Sequence, residues 1–270
     1  RMTGWGQTGP MAKVAGHDIN YISLSGALHA IGRKDDRPVP PLNLVGDFGG
    51  GGMLLAFGIV SALHERTNSG KGQVIDAAMT EGSALLMNAV FGLMNNGSWT
   101  PSRGENFLDG GAHFYNTYET SDGKWVSVGS IEPQFYTLLL EKSGLVNSDD
   151  LPTQHSREDW PDMQARLRKV FMQRTRDEWD AIMLGTDICY APILNFEEAR
   201  NHPHNIERQS FVSRDGIHQA APAPKFSRTQ PQLPDASVAP GTDSRELLME
   251  AGFSTEAIDQ LIESGAVVQV

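Results

Sequence analysis

Apolar positions along the chain fall into two patterns, and each predicts a different kind of architecture. In the first, Met53 to Glu65 (MLLAFGIVSALHE) is almost wholly apolar and predicts a buried helix, stopped by Asn68, Ser69 and Gly70. Gln73 to Ala77 (QVIDA), introduced by Gly-Lys-Gly, predicts a short strand. Thr80 to Met94 predicts another helix with Thr80 as its N-cap. Helix, strand and helix in that order suggest the later part of an open α/β domain. Ahead of them the chain is loop-rich to about residue 50, with one short helix from about His17 to Leu28.

The second pattern begins after Leu108-Asp109-Gly110-Gly111. Phe114 to Thr120 and Trp125 to Gly129 alternate on either side of Ser121-Asp122-Gly123, a hairpin signature. Helices are expected over Glu132–Ser143, about Arg157–Gln173 and Arg176–Leu184, the last two capped by Ser156 and Thr175. From about Ser210 to Gly241 the chain is Pro-rich and aperiodic, which predicts an extended return segment; short helices around Ser244–Glu250 and Ser254–Ile262 follow. The expected division is therefore 1–112, the remainder of a large α/β domain with its linker; 113–209, a small α+β domain; and 210–270, a return segment and C-terminal helices packing on the large domain.

Composition narrows the function. The 270 residues are 39% hydrophobic and 20% charged, an ordinary globular balance. No apolar run approaches the roughly 18–20 residues of a membrane helix, so no membrane partner is expected. A net charge of −11 argues against a general nucleic-acid binder, although local arginines and helix N-termini could still hold an anion. Cys189, the single cysteine, excludes an internal disulfide framework, fits a reducing compartment and is expected to be packed. With no signal peptide at the start and no peroxisomal tripeptide in Val267-Val268-Gln269-Val270, the expected location is cytoplasmic. The start at Arg1, inside a Gly/Pro-rich loop, reads as a chain cut from a longer protein.

Three segments combine ionisable groups with unusual backbone. In Gly16-His17-Asp18-Ile19-Asn20-Tyr21, a helix start would put the imidazole beside open N–H groups and the positive end of the helix dipole, holding His17 neutral and able to act as a base. The alternative is a capping Asp18 with an incidental histidine. In Pro40-Pro41-Leu42-Asn43-Leu44-Val45-Gly46-Asp47-Phe48, followed by Gly49 to Gly52, desolvation by Leu44, Val45 and Phe48 would let Asp47 carry a proton. In Ile131-Glu132-Pro133, the acid either starts a helix or orients a histidine. Other signals carry less. His202-Pro203-His204 lacks a third metal ligand; Gly4 to Gly9 lacks the Lys-Ser/Thr of a phosphate loop; and Met79, Met87 and Met94 fall on helical spacing that suits a core.

The longer motifs are more specific. GWGQTGP, AGHDINYISLSG, PLNLVGDFGGGG, ERTNSGKGQVIDAAMTEG, RGENFLDGGAHFY, YETSDGKWVSVGSIEPQFY and TDICYAP, in this order and nearly end to end, resemble the family III CoA-transferase (CaiB/BaiF) superfamily, in particular its α-methylacyl-CoA racemase branch. The branch rests on His17, because the transferases share the aspartate and lack the histidine. His113, in GGAHFY, departs from the proline common there.

The resemblance implies an α/β fold with a Rossmann-like large domain, whose N-terminal part would precede this chain, and a small α+β domain. It also implies an interlocked homodimer. His17 and Asp47 would be the acid/base groups and Glu132, from the partner chain, the support of His17. Gly16, Asp18, Ile19, Asn20 and Tyr21 would hold the substrate's pantetheine and thioester, with Asn43 beside Asp47. The partner molecule would be an acyl-CoA, with no metal and no cofactor beyond the coenzyme A that is part of the substrate.

The reaction so implied interconverts (R)- and (S)-2-methylacyl-CoA through an enolate, which backbone N–H groups at Asp47 and the glycines could stabilise. A CoA-transferase with Asp47 as nucleophile is the rival enzyme. A silent CoA-ester-binding or dimerisation module is the rival of another class.

Overall fold

The computed structural model describes residues 1–146, 150–214, 216–233 and 237–270. Contacts divide it into two compact units, Arg1–Ile193 and Leu194–Val270.

In the first unit β1 (Met2–Thr3) leads to α1 (Asp18–Leu24) and α2 (Ala27–Ala30). The single helix expected over 17–28 is broken at Gly26, whose φ of 84° is left-handed. A wide helix, Leu44–Met53, runs directly into α3 (Leu54–Ser69), which ends as expected at Gly70. Its bonds span five residues, as in Phe48 N–H to the Asn43 carbonyl at 3.2 Å. Then follow β2 (Ala77–Ala78), α4 (Met79–Leu86) and α5 (Asn88–Asn95).

The strand expected over Gln73–Ala77 shrinks to Ala77–Ala78, because its parallel partner β1 supplies only two residues. Thr80 is not an N-cap: its N–H and hydroxyl both donate to the Gly4 carbonyl, at 3.1 and 2.8 Å. The helix expected over 80–94 breaks at Met87.

The wide helix is possible because its glycines let backbones touch. A Cβ on Gly50 would lie 2.6 Å from the Ser83 nitrogen, and one on Gly82 2.6 Å from the Gly50 carbonyl carbon. Gly46, Gly50 and Gly51 are buried, and the wide helix packs against α1 and α4.

Helix α3 is not buried, contrary to its apolar sequence. None of its residues is buried, and Phe57 and Val60 are 71% and 66% exposed. Leu54, Leu55, Gly58 and Ala62 are half-buried along one side, while the other apolar positions face outward without a covering layer. Joined to the wide helix, it forms a continuous 26-residue helix, Leu44–Ser69, long and apolar enough by length and composition to cross a membrane. Reading the glycine segment as loop hides that run in the sequence. Met79 and Met87 are half-buried and Met94 is exposed, so none of the three serves as core.

The rest of the first unit holds the hydrophobic core. β3 (Tyr115–Glu119), β4 (Trp125–Gly129), α6 (Pro133–Lys142), α7 (Trp160–Phe171), α8 (Arg176–Met183) and β5 (Tyr190–Ile193) follow in chain order. The strands form an antiparallel sheet in the order β3-β4-β5. Phe114, Tyr118 and Val126 meet Leu139, Met163, Leu167, Phe171, Trp179 and Met183 from the three helices, all essentially buried. Tyr118 stacks on Phe171 with ring centroids 5.0 Å apart. The hairpin is as predicted, with Gly123 at φ 71°. Thr175 caps α8, its Oγ1 accepting from the Glu178 N–H at 3.3 Å while the Glu178 carboxylate accepts from the Thr175 N–H at 2.8 Å. Strand β5 escapes sequence reading because it is short and contains Pro192, as an edge strand can.

The second unit contains α9 (Phe196–Asn201), α10 (Pro203–Glu207), β6 (Phe211–Arg214), β7 (Ile217–Ala220), α11 (Ser244–Glu250) and α12 (Thr255–Glu263). The segment expected to be extended from 210 therefore opens with an antiparallel hairpin, β6–β7; residues 215 and 234–236 of it lie outside the described residues. The predicted C-terminal helices are present, and Ser254 caps α12 by accepting the Ala257 N–H at 3.2 Å.

Candidate active site

His17 occupies the N-cap position of α1, with extended backbone (φ −131°, ψ 173°) and an exposed side chain. Its own N–H donates to Asn20 Oδ1 at 3.0 Å, which fixes the entry into the helix. The next residue does the joining. Asp18 is only 2% exposed, and its Oδ2 accepts the N–H of Asp47 at 2.7 Å. The segment carrying His17 is thereby bonded to the wide helix carrying Asp47. Gly46 is required at this junction, since a Cβ there would lie 2.9 Å from the Asp18 carboxyl carbon.

Asp47 itself is half-buried, and Asn43 Nδ2 donates to its Oδ2 at 2.9 Å. Asn43 can do so because it takes a left-handed φ of 60° just before the wide helix. Two expectations change here. The Asp47 N–H is consumed by Asp18 and is not available to an enolate oxygen. Leu44 and Phe48, expected to enclose the carboxylate, are 61% and 60% exposed.

The loop that presents His17 is held by two aromatic side chains, Tyr21, expected at the substrate, and Trp5, which motif reading missed. Trp5 Nε1 donates to the Val14 carbonyl at 3.0 Å, and the Tyr21 hydroxyl donates to the Gly16 carbonyl. The rings meet edge to face, 4.7 Å between centroids. A Cβ on Gly16 would sit 2.8 Å from both rings. Gly4 to Gly9 is thus a scaffold for the catalytic candidate and not a phosphate loop; an aromatic flanked by glycines was the available signal. Burial first, and then the Asp47 carboxylate, push the Tyr21 hydroxyl pKa up, so the ring lies within the field of Asp47.

Of the stretch assigned to substrate, Asp18 and Tyr21 face the interior, Gly16 is half-buried, and Ile19 and Asn20 are on the surface. Glu132 is exposed at the N-cap position of α6, without a capping bond. No hydrogen bond joins it to His17 within the chain. Its carboxylate acts on Cys189, whose thiol pKa is raised by burial first and then by the nearby charges of Glu132 and Asp187. Cys189 is exposed, contrary to expectation, and takes a left-handed φ of 62° just before β5.

The remaining signals resolve as structure. Asp109 of RGENFLDGG accepts from the N–H groups of Gly104, Asn106 and Gly111 at 2.9, 2.8 and 3.1 Å, and from Asn106 Nδ2 at 2.9 Å. His202 Nδ1 accepts the His204 N–H at 3.3 Å, a capping bond. Among the described residues no three His, Cys, Asp or Glu side chains are grouped to hold a metal.

A mixed α/β chain that carries a histidine at a helix N-terminus tied to an aspartate on a glycine-built helix now meets its relatives. Residues 1–244 match the model of CoA-transferase family III, and the chain belongs to that family. It is 52% identical over 265 residues to the alpha-methylacyl-CoA racemase of Mus musculus, covering 97% of this chain and 69% of that protein. With the alpha-methylacyl-CoA racemase of Homo sapiens it shares 48% over 275 residues, covering 99% and 72%. The crystal structure of a CaiB/BaiF family protein from Brucella suis superposes with a TM-score of 0.75 at 22% identity, covering 92% of this chain and 66% of that one. The fold is therefore that of the family III CoA-transferases, and the chain spans about two thirds of the length of these proteins.

Proposed function

We propose that the protein interconverts the (R)- and (S)-forms of 2-methylacyl-CoA thioesters by moving one α-proton. Neutral His17 takes the proton from one face, leaving an enolate that the thioester makes accessible. The Asp47 carboxyl group delivers a proton to the other face, and the roles reverse for the opposite enantiomer. The observation that carries this reading is the Asp18–Asp47 bond of 2.7 Å, which ties the histidine-bearing loop to the aspartate-bearing helix. The similarity to two racemases at about half identity supports it. Glu132 supports His17 from a second copy in a homodimer; its exposure and the absence of a bond to His17 within one chain favour that arrangement.

The test is incubation of one pure enantiomer with the intact protein and no second carboxylic acid. Loss of optical purity, with the thioester intact, is the expected result. Chemistry that starts only when an acceptor acid is added would instead identify a transferase with Asp47 as nucleophile.

A further inference from the structure

A cavity of about 610 Å³ lies away from His17 and Asp47, between the Arg33–Lys34 loop, the 104–111 segment and the start of α7. Its volume is in the range of small-molecule sites. Its wall carries four cations, Arg33, Lys34, Arg157 and Arg168, against three carboxylates, Glu105, Asp109 and Glu158, and the two sets differ in how many of their hydrogen bonds are already made.

The acceptors are consumed internally. The Asp109 carboxylate takes the four N–H bonds described above. The Gly110 and Gly111 carbonyls accept from Gln164 Nε2 at 3.2 and 2.6 Å, and Gly110 also from Asn116 Nδ2 at 2.7 Å. Glu105 is paired with Lys34 at 2.7 Å. Glu158 is the remaining carboxylate of the wall, and it is exposed.

The donors are in surplus. Arg33, Arg157 and Arg168 all line the cavity, and among the described residues none of them forms an ion pair. Each guanidinium has five N–H donors. Arg33 spends one on Thr117 Oγ1 at 3.5 Å, Arg157 one on the Ser98 carbonyl, and Arg168 one on Gln164 Oε1 at 2.9 Å. This surplus stands out in a chain of net charge −11, where acids outnumber bases. All three arginines are exposed, and Arg157 lies over the Trp160 ring and within the field of Glu105; an anion in the cavity would match their open planar forks in pairs.

We infer that this cavity binds a small molecule carrying two or more oxyanion groups, phosphate or carboxylate, separately from the acyl-CoA reaction centre. The inference does not rest on the proton-transfer reading. Calorimetric titration of the intact protein with inorganic pyrophosphate and, separately, with citrate tests it and distinguishes the two sources of charge. At least one probe should bind at one site per chain, and the tighter one names the class. Arg33→Gln, Arg157→Gln and Arg168→Gln should each weaken it by about tenfold or more, as loss of a charge-assisted bond does. Lys169→Gln, an exposed cation of α7 outside the cavity wall, should leave binding unchanged. Thermal melting of each variant shows that it is folded. Absence of binding by both probes would overturn the inference. So would an affinity that the three arginine changes leave unaltered, or that Lys169→Gln lowers equally.

Discussion

Residues 1–100 and residues 112–188 reach their folds by different physical means. The later region buries its large side chains: Phe114, Tyr118, Leu139, Leu167 and Phe171 are almost fully hidden between a three-stranded sheet and three helices. In the earlier region Leu44, Phe48, Phe57, Val60, Leu63 and Phe91 are all 46% or more exposed. That region buries few large side chains, Tyr21, Ile22 and Trp99 among them, and relies more on close backbone approach at Gly50 and Gly82 and on polar ties such as Asp18 to Asp47 and Thr80 to Gly4. The region with the core carries little of the proposed chemistry. The region with the chemistry leaves its apolar faces for other surfaces to cover, which suits a site completed by a second copy.

The widest contrast is between two phenylalanines. Phe171→Ala should cost about 3–5 kcal/mol of stability by leaving a cavity, whereas Phe57→Ala should change the stability of the unassociated chain by less than about 0.5 kcal/mol. Equal losses in denaturant unfolding would erase the distinction between the regions.

Next in size is an effect of pH confined to the core region. Burial, and then neighbouring His155, lower the pKa of His113 to about 4, and its Nε2 lies 2.8 Å from the Tyr136 hydroxyl. The unfolded chain takes up this proton below about pH 6.5 while the folded chain refuses it. Stability is therefore full above that pH and falls by about 3 kcal/mol as pH drops to about 4. His113→Gln, measured by unfolding at pH 7 and pH 4.5, should flatten the slope.

Gly82→Ala comes third. Its Cβ would strike the Gly50 backbone, so overpacking should cost about 1–3 kcal/mol. The loss should fall on turnover as well as stability, because the helix that moves carries Asp47. The smallest effect is expected for Tyr21→Phe, which removes one bond to the Gly16 carbonyl. About 0.5–1.5 kcal/mol of stability should go, with kcat falling more than KM rises, since the loop that presents His17 is loosened.

How far the sequence could be read follows the same division. Period-two alternation around Ser121-Asp122-Gly123 predicts β3–β4 almost to the residue, because each inward position there finds a partner helix. The apolar run of α3 predicts a helix correctly but its burial wrongly, since periodicity reports a face and not what covers it. At the candidate site, Asn43 lies beside Asp47 as the motif resemblance implies. Asp18 is a different case: short-range reading makes it a cap or a ligand contact, while its bond spans 29 residues to Asp47. No local pattern encodes a contact of that separation. The wide helix is hidden for a related reason, because four consecutive glycines look like loop until a second backbone is packed against them.

The most direct test of the proposed two-base mechanism is α-deuterium incorporation from deuterated water into each pure enantiomer of a 2-methylacyl-CoA, by His17→Ala and by Asp47→Ala. Each variant should lose net racemisation, by about 10²–10⁴-fold for a general acid–base residue. His17→Ala should block exchange from one enantiomer far more than from the other, and Asp47→Ala should show the opposite bias. Small and equal effects of His17→Ala on both enantiomers, with all chemistry abolished in Asp47→Ala, would contradict the account and point to Asp47 as a nucleophile.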